Sequence, residues 1–389
     1  MPPTIIADVL GTGNIQSAQR IVDMDDMVHQ LDPNATALTA LLMKLAKKPT
    51  INPKYDQLTD EFRPLNDTIN GAQTDSDTAI EVDNGSYWRA GDLAYLPETK
   101  ELLFVVSVAA NTLTVATRPW GEAAKVAISD ADEIWIVGNA FEEGAGKPAI
   151  RTTKKGTDFN YTEIFREPFG STGTQENSST YGNEGIAGLR KKHGIEHMLQ
   201  IERAFWFGQR KEDTSGTHPK RATRGVMQAL LAAGSGAATK DAGGAFTDTE
   251  MEDFLRDLFR YGSDTKFLFA SRLAMSVISN SFAQGKLQMF PEDQVYGISI
   301  TSYLSPHGMA KLITNNLFTG TGTDKEFGGW IVALDLMDLN YRFLQNRDTK
   351  LYVNRQANDV DGTIDEYLTE CGLQLNHPRF HGYVKGITG

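Results

Sequence analysis

The sequence has a single cysteine, Cys371, in 389 residues, which leaves no partner for an internal disulfide and excludes a disulfide-stapled scaffold. Cohesion must come from packing and from contact with other chains. No apolar run approaches the roughly eighteen residues of a membrane span, so no membrane partner is expected. The opening stretch, MPPTIIADVLGTGN, has no basic segment followed by an apolar one, so no signal peptide is expected and the cytoplasm is the expected place of assembly. Lys and Arg number 38 against 50 Asp and Glu, a net charge of −12, and no basic run makes a stripe for phosphate. Sequence-specific DNA binding is therefore not expected. Nucleotide-binding loops and nucleophile elbows are missing as well. Gly11-Thr-Gly13 and Gly320-Thr-Gly322 lack the third glycine and the flanking strand and helix of a dinucleotide fingerprint.

What is present is organised around residues 157–211. TDFNYTEIFREPFGSTGTQE (157–176) interleaves Tyr161, Ile164, Phe165 and Phe169 with charge, and Pro168 and Gly170 interrupt it. No helical period fits, and Pro168 lacks the donor that a central strand needs. The segment is expected to be a strand reaching away from the core. A long helix is expected over about 184–210, with Gly194, Met198, Ile201, Phe205 and Gly208 along one side. Glycines that unfavourable in a helix suggest close approach by a neighbouring backbone, or a helix that starts later than residue 184. Residues 50–70 are again extended, with Pro53, Pro64, Tyr55, Leu58, Phe62 and Leu65. The two extended segments could pair as legs of one hairpin.

Between them, residues 74–143 form an all-β pattern of five or six short strands, with turn signals at Asp83-Asn84-Gly85 and Pro97-Glu98-Thr99. A small barrel or sandwich is expected, with Trp88, Trp120 and Trp135 filling its core. Earlier in the chain, a short helix is expected from an Asn34 cap to about Lys47. Later, Thr247-Asp248-Thr249-Glu250 is a capping box ahead of Met251, Phe254, Leu255, Leu258 and Phe259, with Gly262 as the stop. Strand patterns dominate from Val295 onward, which makes the body α+β.

Two patterns could carry metal chemistry. Asp23, Asp25 and Asp26 form an acidic cluster without the fixed glycine and glutamate of a calcium loop, and read as a solvated turn. His193-Gly-Ile-Glu196-His197 matches the H-x-x-E-H motif of inverted zinc peptidases. Nothing identifies a third ligand, so a solvated helix face is the simpler reading. No catalytic residues, cofactor or metal site are expected.

Several segments together resemble the major capsid proteins of tailed bacteriophages, of the Hong Kong 97-type fold, in a branch with a β-barrel insertion. VDMDDMVHQLDPNATALTALLMKLAKK (22–48) resembles that branch's N-terminal arm and first helix. YDQLTDEFRPL (55–65) is similar to the outgoing leg of the extension loop, where the family often has Trp and this chain has Phe62. AGDLAYLPETKELLFVVSVAANTLTVATRPWG (90–121) looks like the inserted barrel, with Arg118-Pro-Trp-Gly in place of the usual Arg-Gly turn. NYTEIFREPFGSTGT (160–174) resembles the returning leg, and HMLQIERAFWFGQR (197–210) the end of the spine helix. GGWIVALDLMDLNYRFLQ (328–345) and DEYLTECGLQLNHPRFHGYVKGI (365–387) look like the closing strands.

The resemblance implies an N-terminal arm and short helix (1–49), extension-loop legs (50–73 and 144–180), the inserted barrel (74–143), a peripheral domain with the spine helix (181–294), and axial plus closing strands (295–389). It implies a non-enzymatic protein that assembles in the host cytoplasm with copies of itself, as hexamers and pentamers of an icosahedral virion shell. Double-stranded DNA would be enclosed without sequence-specific binding, and portal, scaffolding and decoration proteins would be partners. Arg63, Phe165, Arg166 and Phe169 on the legs are expected at intersubunit contacts, the alternative being contact with the chain's own barrel. Two other readings are another phage structural protein, of tail or decoration type, and a zinc hydrolase using His193, Glu196 and His197.

Overall fold

The computed structural model describes residues 36–45, 47–178, 185–232, 234–282, 287–288, 294–295, 298–319 and 327–388. The N-terminal arm, Asn34, the Asp23, Asp25 and Asp26 cluster and Gly320-Thr-Gly322 lie outside them. The chain divides into two compact units, one formed by Met1–Gln57 with Asp158–Gly389 and the other by Leu58–Thr157.

The second unit is one six-stranded sheet. Its order is Asn66–Thr68, Glu133–Asn139, Asp92–Leu96, Glu101–Ala109, Thr112–Val115 and Ala79–Glu81, and every pairing is antiparallel. Alternation puts Ile80, Leu103, Val105, Leu113 and Ile134 on the buried side, with Ile69, Val82 and Trp88. The unit is wider than the expected 74–143. Asp67 accepts from the Trp88 indole at 3.0 Å, and Arg151 pairs with buried Asp92 at 2.7 Å. Residues outside the drawn module therefore satisfy polar groups inside it. Trp88 fills core as expected, whereas Trp120, stacked on Phe104, and Trp135 are partly exposed. Gly85 follows from geometry: an added Cβ would lie 1.9 Å from the Ala110 carbonyl oxygen. Arg118, in the segment that departs from the family turn, forms a buried pair with Glu101 at 2.8 Å.

The first unit contains two larger sheets. One has eight strands, ordered Ala238–Gly244, Gly382–Ile387, Ile331–Leu334, Thr265–Ala270, Gly308–Thr314, Ile298–Ser305 and Leu287–Gln288, with Gln294–Val295 paired to Ile298–Ser305. Helix Asp248–Leu258 covers it with Met251, Phe254, Leu255 and Leu258. The capping box forms: Thr247 Oγ1 accepts from the Glu250 amide, and Glu250 accepts from the Thr247 amide at 3.0 Å. The division expected at 294/295 falls inside this sheet, because Gly308–Thr314 pairs in parallel with Thr265–Ala270.

The other sheet runs Lys47–Thr50, Leu339–Leu344, Gly362–Leu375 and Glu163–Thr172, with Lys350–Tyr352 also on Gly362–Leu375. Here the structure corrects the sequence reading. The ten-residue strand Glu163–Thr172 does not reach away from the body. It is laddered onto Gly362–Leu375 from Glu163↔Cys371 to Thr172↔Gly362. It is the edge of that path, which is where Pro168 can be tolerated. Lys54–Thr59 and Gly156–Tyr161 form a two-stranded ribbon, so the two extended segments do pair. Among the described residues, no helix is long and apolar enough to cross a membrane.

Candidate assembly surface

The long helix spans Gly185–Phe207. The next residue, Gly208, is pressed between backbones: a Cβ there would lie 2.4 Å from the Ala204 oxygen and 2.6 Å from that of Thr223. Close backbone approach thus holds at Gly208, just past the helix, whereas Gly194 within it faces the Tyr367 side chain, 3.3 Å from an added Cβ. Ile201 and Phe205 are buried as expected, but so are His197, Glu202 and Trp206. The buried side is broader because helix Ala37–Leu45 packs on it.

Glu202 shows why periodicity missed this. Its carboxylate accepts from the amides of Leu38 at 3.0 Å and Thr39 at 2.6 Å, from the Thr39 hydroxyl, and from the Trp206 indole at 2.9 Å. The first turn of Ala37–Leu45 is thus satisfied by a side chain 163 positions away. Burial pushes the Glu202 carboxyl above its ordinary range, and the hydrogen bonds it accepts oppose that rise.

The H-x-x-E-H residues do not converge. His193 Nδ1 lies 3.0 Å from Glu196 Oε2 and 3.1 Å from Glu167 Oε1, while His197 Nε2 sits 2.7 Å from Thr369 Oγ1. Burial lowers the pKa of His197. The two imidazoles serve different neighbours, so the two-histidine metal site of a zinc peptidase is not formed.

The four residues expected at intersubunit contacts separate clearly. Phe165 and Phe169 are each 6% exposed within their own chain. Phe165 joins the core around Phe205 and Tyr341. Phe169 stacks on His193 and packs against Tyr367. Arg63 donates to the Tyr87 carbonyl at 3.3 Å within the second unit, close to Asp92, whose pKa burial raises. Arg166 pairs with Glu366 but keeps an exposed side chain.

The exposed apolar residues, several of them visible on the outgoing leg, were not among the expected contacts. Phe62 is 101% exposed, and Leu58, Leu65 and Ile150 of the same unit are exposed too. In the first unit Ile51 and Ile164 face solvent. Isolated exposed apolar residues are ordinary. Three large ones in residues 58–65, a stretch that begins within strand Lys54–Thr59 and continues past it, are a candidate contact surface.

A family model described as the SU10 major capsid protein matches residues 9–388. The major capsid protein of Pseudomonas phage PaMx41 is 24% identical over 332 residues, covering 80% of this chain and 78% of that protein. Among solved structures, the capsid of a native GTA particle is similar at 8% identity and a TM-score of 0.49, over 97% of this chain and 98% of that one. A structure of Microbacterium phage Oxtober96 is similar at 9% identity and a TM-score of 0.47, over 96% and 97%. The family match spans nearly the whole sequence: the chain belongs to the SU10 major capsid protein family and is a phage major capsid protein.

Proposed function

We propose that the chain assembles with copies of itself, as hexamers and pentamers, into an icosahedral shell of the Hong Kong 97 type that encloses double-stranded DNA. The role is structural and non-enzymatic. Assembly takes place in the host cytoplasm and the product is part of the virion, with portal, scaffolding and decoration proteins as partners. The observation that carries this reading is residues 58–65, where Leu58, Phe62 and Leu65 stay exposed although the chain's own cores are filled.

The physical basis is area. Covering one large apolar side chain contributes roughly 1.5–3 kcal/mol before the cost of ordering. A single such contact would be weak, but a closed lattice repeats it in every subunit. Of the four residues expected at contacts, Arg166 retains an exposed side chain for this role. A net charge of −12 suits a wall that holds DNA without adhering to its phosphates.

Electron microscopy of the purified full-length chain tests the reading. Closed shells with five- and six-fold capsomers are expected. A helical tube or an isolated trimer would select a tail or decoration role instead. A compact monomer at every concentration would overturn it.

A further inference from the structure

Strand Glu163–Thr172 and helix Gly185–Phe207 carry a polar cluster that the assembly reading does not invoke. Glu167 on the strand and His193 and Glu196 on the helix each aim a ligand atom into one space, all within 4.8 Å of one another. His193 Nδ1 is 3.1 Å from Glu167 Oε1 and 3.0 Å from Glu196 Oε2. One ring nitrogen carries at most one proton and cannot donate fully to both carboxylates. A protonated ring would serve one carboxylate at a time, whereas one metal ion bound to Nδ1 and to both carboxylates would serve all three groups at once. The two His193 spacings are near the roughly 3.3 Å that separates donors held at about 2.0–2.2 Å from a tetrahedral zinc-sized ion.

The surroundings hold these groups as the outer shell of a metal site does. Gln200 Nε2 donates to the second oxygen of Glu167 at 2.7 Å, which fixes the carboxylate. The Phe169 ring lies flat on His193, with centroids 4.8 Å apart and planes 3° apart, which fixes the imidazole. All three ligand residues are half-buried, which leaves a route for the ion and for water to complete its coordination. The competing cation, Lys192, is 4.0 Å from the other oxygen of Glu196, a loose exposed pair of little strength. One imidazole with two carboxylates suits zinc-class ions, whereas calcium and magnesium favour all-oxygen sets.

We propose that Glu167, His193 and Glu196 bind one divalent transition-metal ion of the zinc class. The ion ties the strand to the helix. It has no hydrolytic role, because both carboxylates are ligands and neither is left as a base for water. His197, held by Thr369, takes no part.

The test uses the full-length chain stripped with EDTA, titrated with Zn²⁺ by calorimetry and with Co²⁺ by visible absorption. One ion per chain is expected, together with a rise in Tm on adding Zn²⁺. Glu196→Gln and His193→Gln should each weaken binding more than tenfold and abolish the rise in Tm. The positioning variant Gln200→Ala should weaken binding by about tenfold, and the exposed-loop control His218→Gln should leave it unchanged. Circular dichroism of the stripped variants establishes that they are folded. No saturable binding, or equal binding by the wild type and Glu196→Gln, would overturn the proposal. Shell formation seen by microscopy is a separate readout, so failure here leaves the assembly reading standing.

Discussion

Residues 157–176 and 50–70 read alike, since both space aromatic residues among charges and both contain proline. Their fates differ. In the first, Phe165 and Phe169 are packed inside the chain; in the second, Phe62 is wholly in solvent. The difference lies in what each segment meets. Strand Glu163–Thr172 finds a continuous antiparallel partner in Gly362–Leu375. Among the described residues, Lys54–Thr59 pairs only with Gly156–Tyr161. Its first residues are anchored, Tyr55 by donating to the Leu373 carbonyl at 2.9 Å and Gln57 to that of Leu375. From Leu58 the large apolar side chains turn to solvent. An aromatic among charges does not reveal whether its partner is the same chain or another copy.

Mutations on the packed side should break this contrast most strongly. Phe165→Ala removes a ring from the core around Phe205 and Tyr341 and should destabilise the subunit by roughly 3–5 kcal/mol in chemical denaturation. Glu202→Ala would strand the amides of Leu38 and Thr39 and the Trp206 indole. Its expected cost is roughly 3 kcal/mol, with loss of helical signal from Ala37–Leu45.

A third prediction concerns pH. His381 is fully buried, and its Nδ1 accepts from the Asp335 amide at 3.0 Å. Burial lowers its pKa to about 3; Lys266 and His377 act in the same direction and Asp335 opposes them. The unfolded chain takes up this proton below about pH 6.5 while the folded chain does not. The stability contributed is complete above pH 6.5 and is lost as pH falls toward 3, by about 2 kcal/mol at pH 5. His381→Gln should flatten that slope in denaturant melts, whatever it does to the absolute level.

Local signals were legible and distant ones were not. The capping box at Thr247 and Glu250, and the buried face Met251, Phe254, Leu255 and Leu258, formed as the spacing predicts, because every partner lies within a turn or two. The β unit was legible through its turns, but its edges were not, since Asp67 and Arg151 meet their partners across the fold. Glu202 was unreadable for the same reason. A charged residue on a helix looks solvated until the helix end that it caps, 163 positions away, is placed beside it. The H-x-x-E-H match misled in a related way. His197 turned to Thr369, and the third group beside His193 and Glu196 came from a strand, Glu167, which no motif records.

On the exposed side the expected effect on the subunit is smallest. Phe62→Asp should shift subunit stability by no more than about 0.5 kcal/mol, because Phe62 loses no contact within its own chain. Its effect should fall on assembly. The most direct measurement is therefore sedimentation velocity with negative-stain microscopy on the Phe62→Asp variant beside the wild type. The account predicts closed shells from the wild type, and from the variant folded, unassembled subunits whose unfolding midpoint matches that of dissociated wild-type subunits. Shells formed by the variant in wild-type yield and with wild-type resistance to disassembly would contradict it.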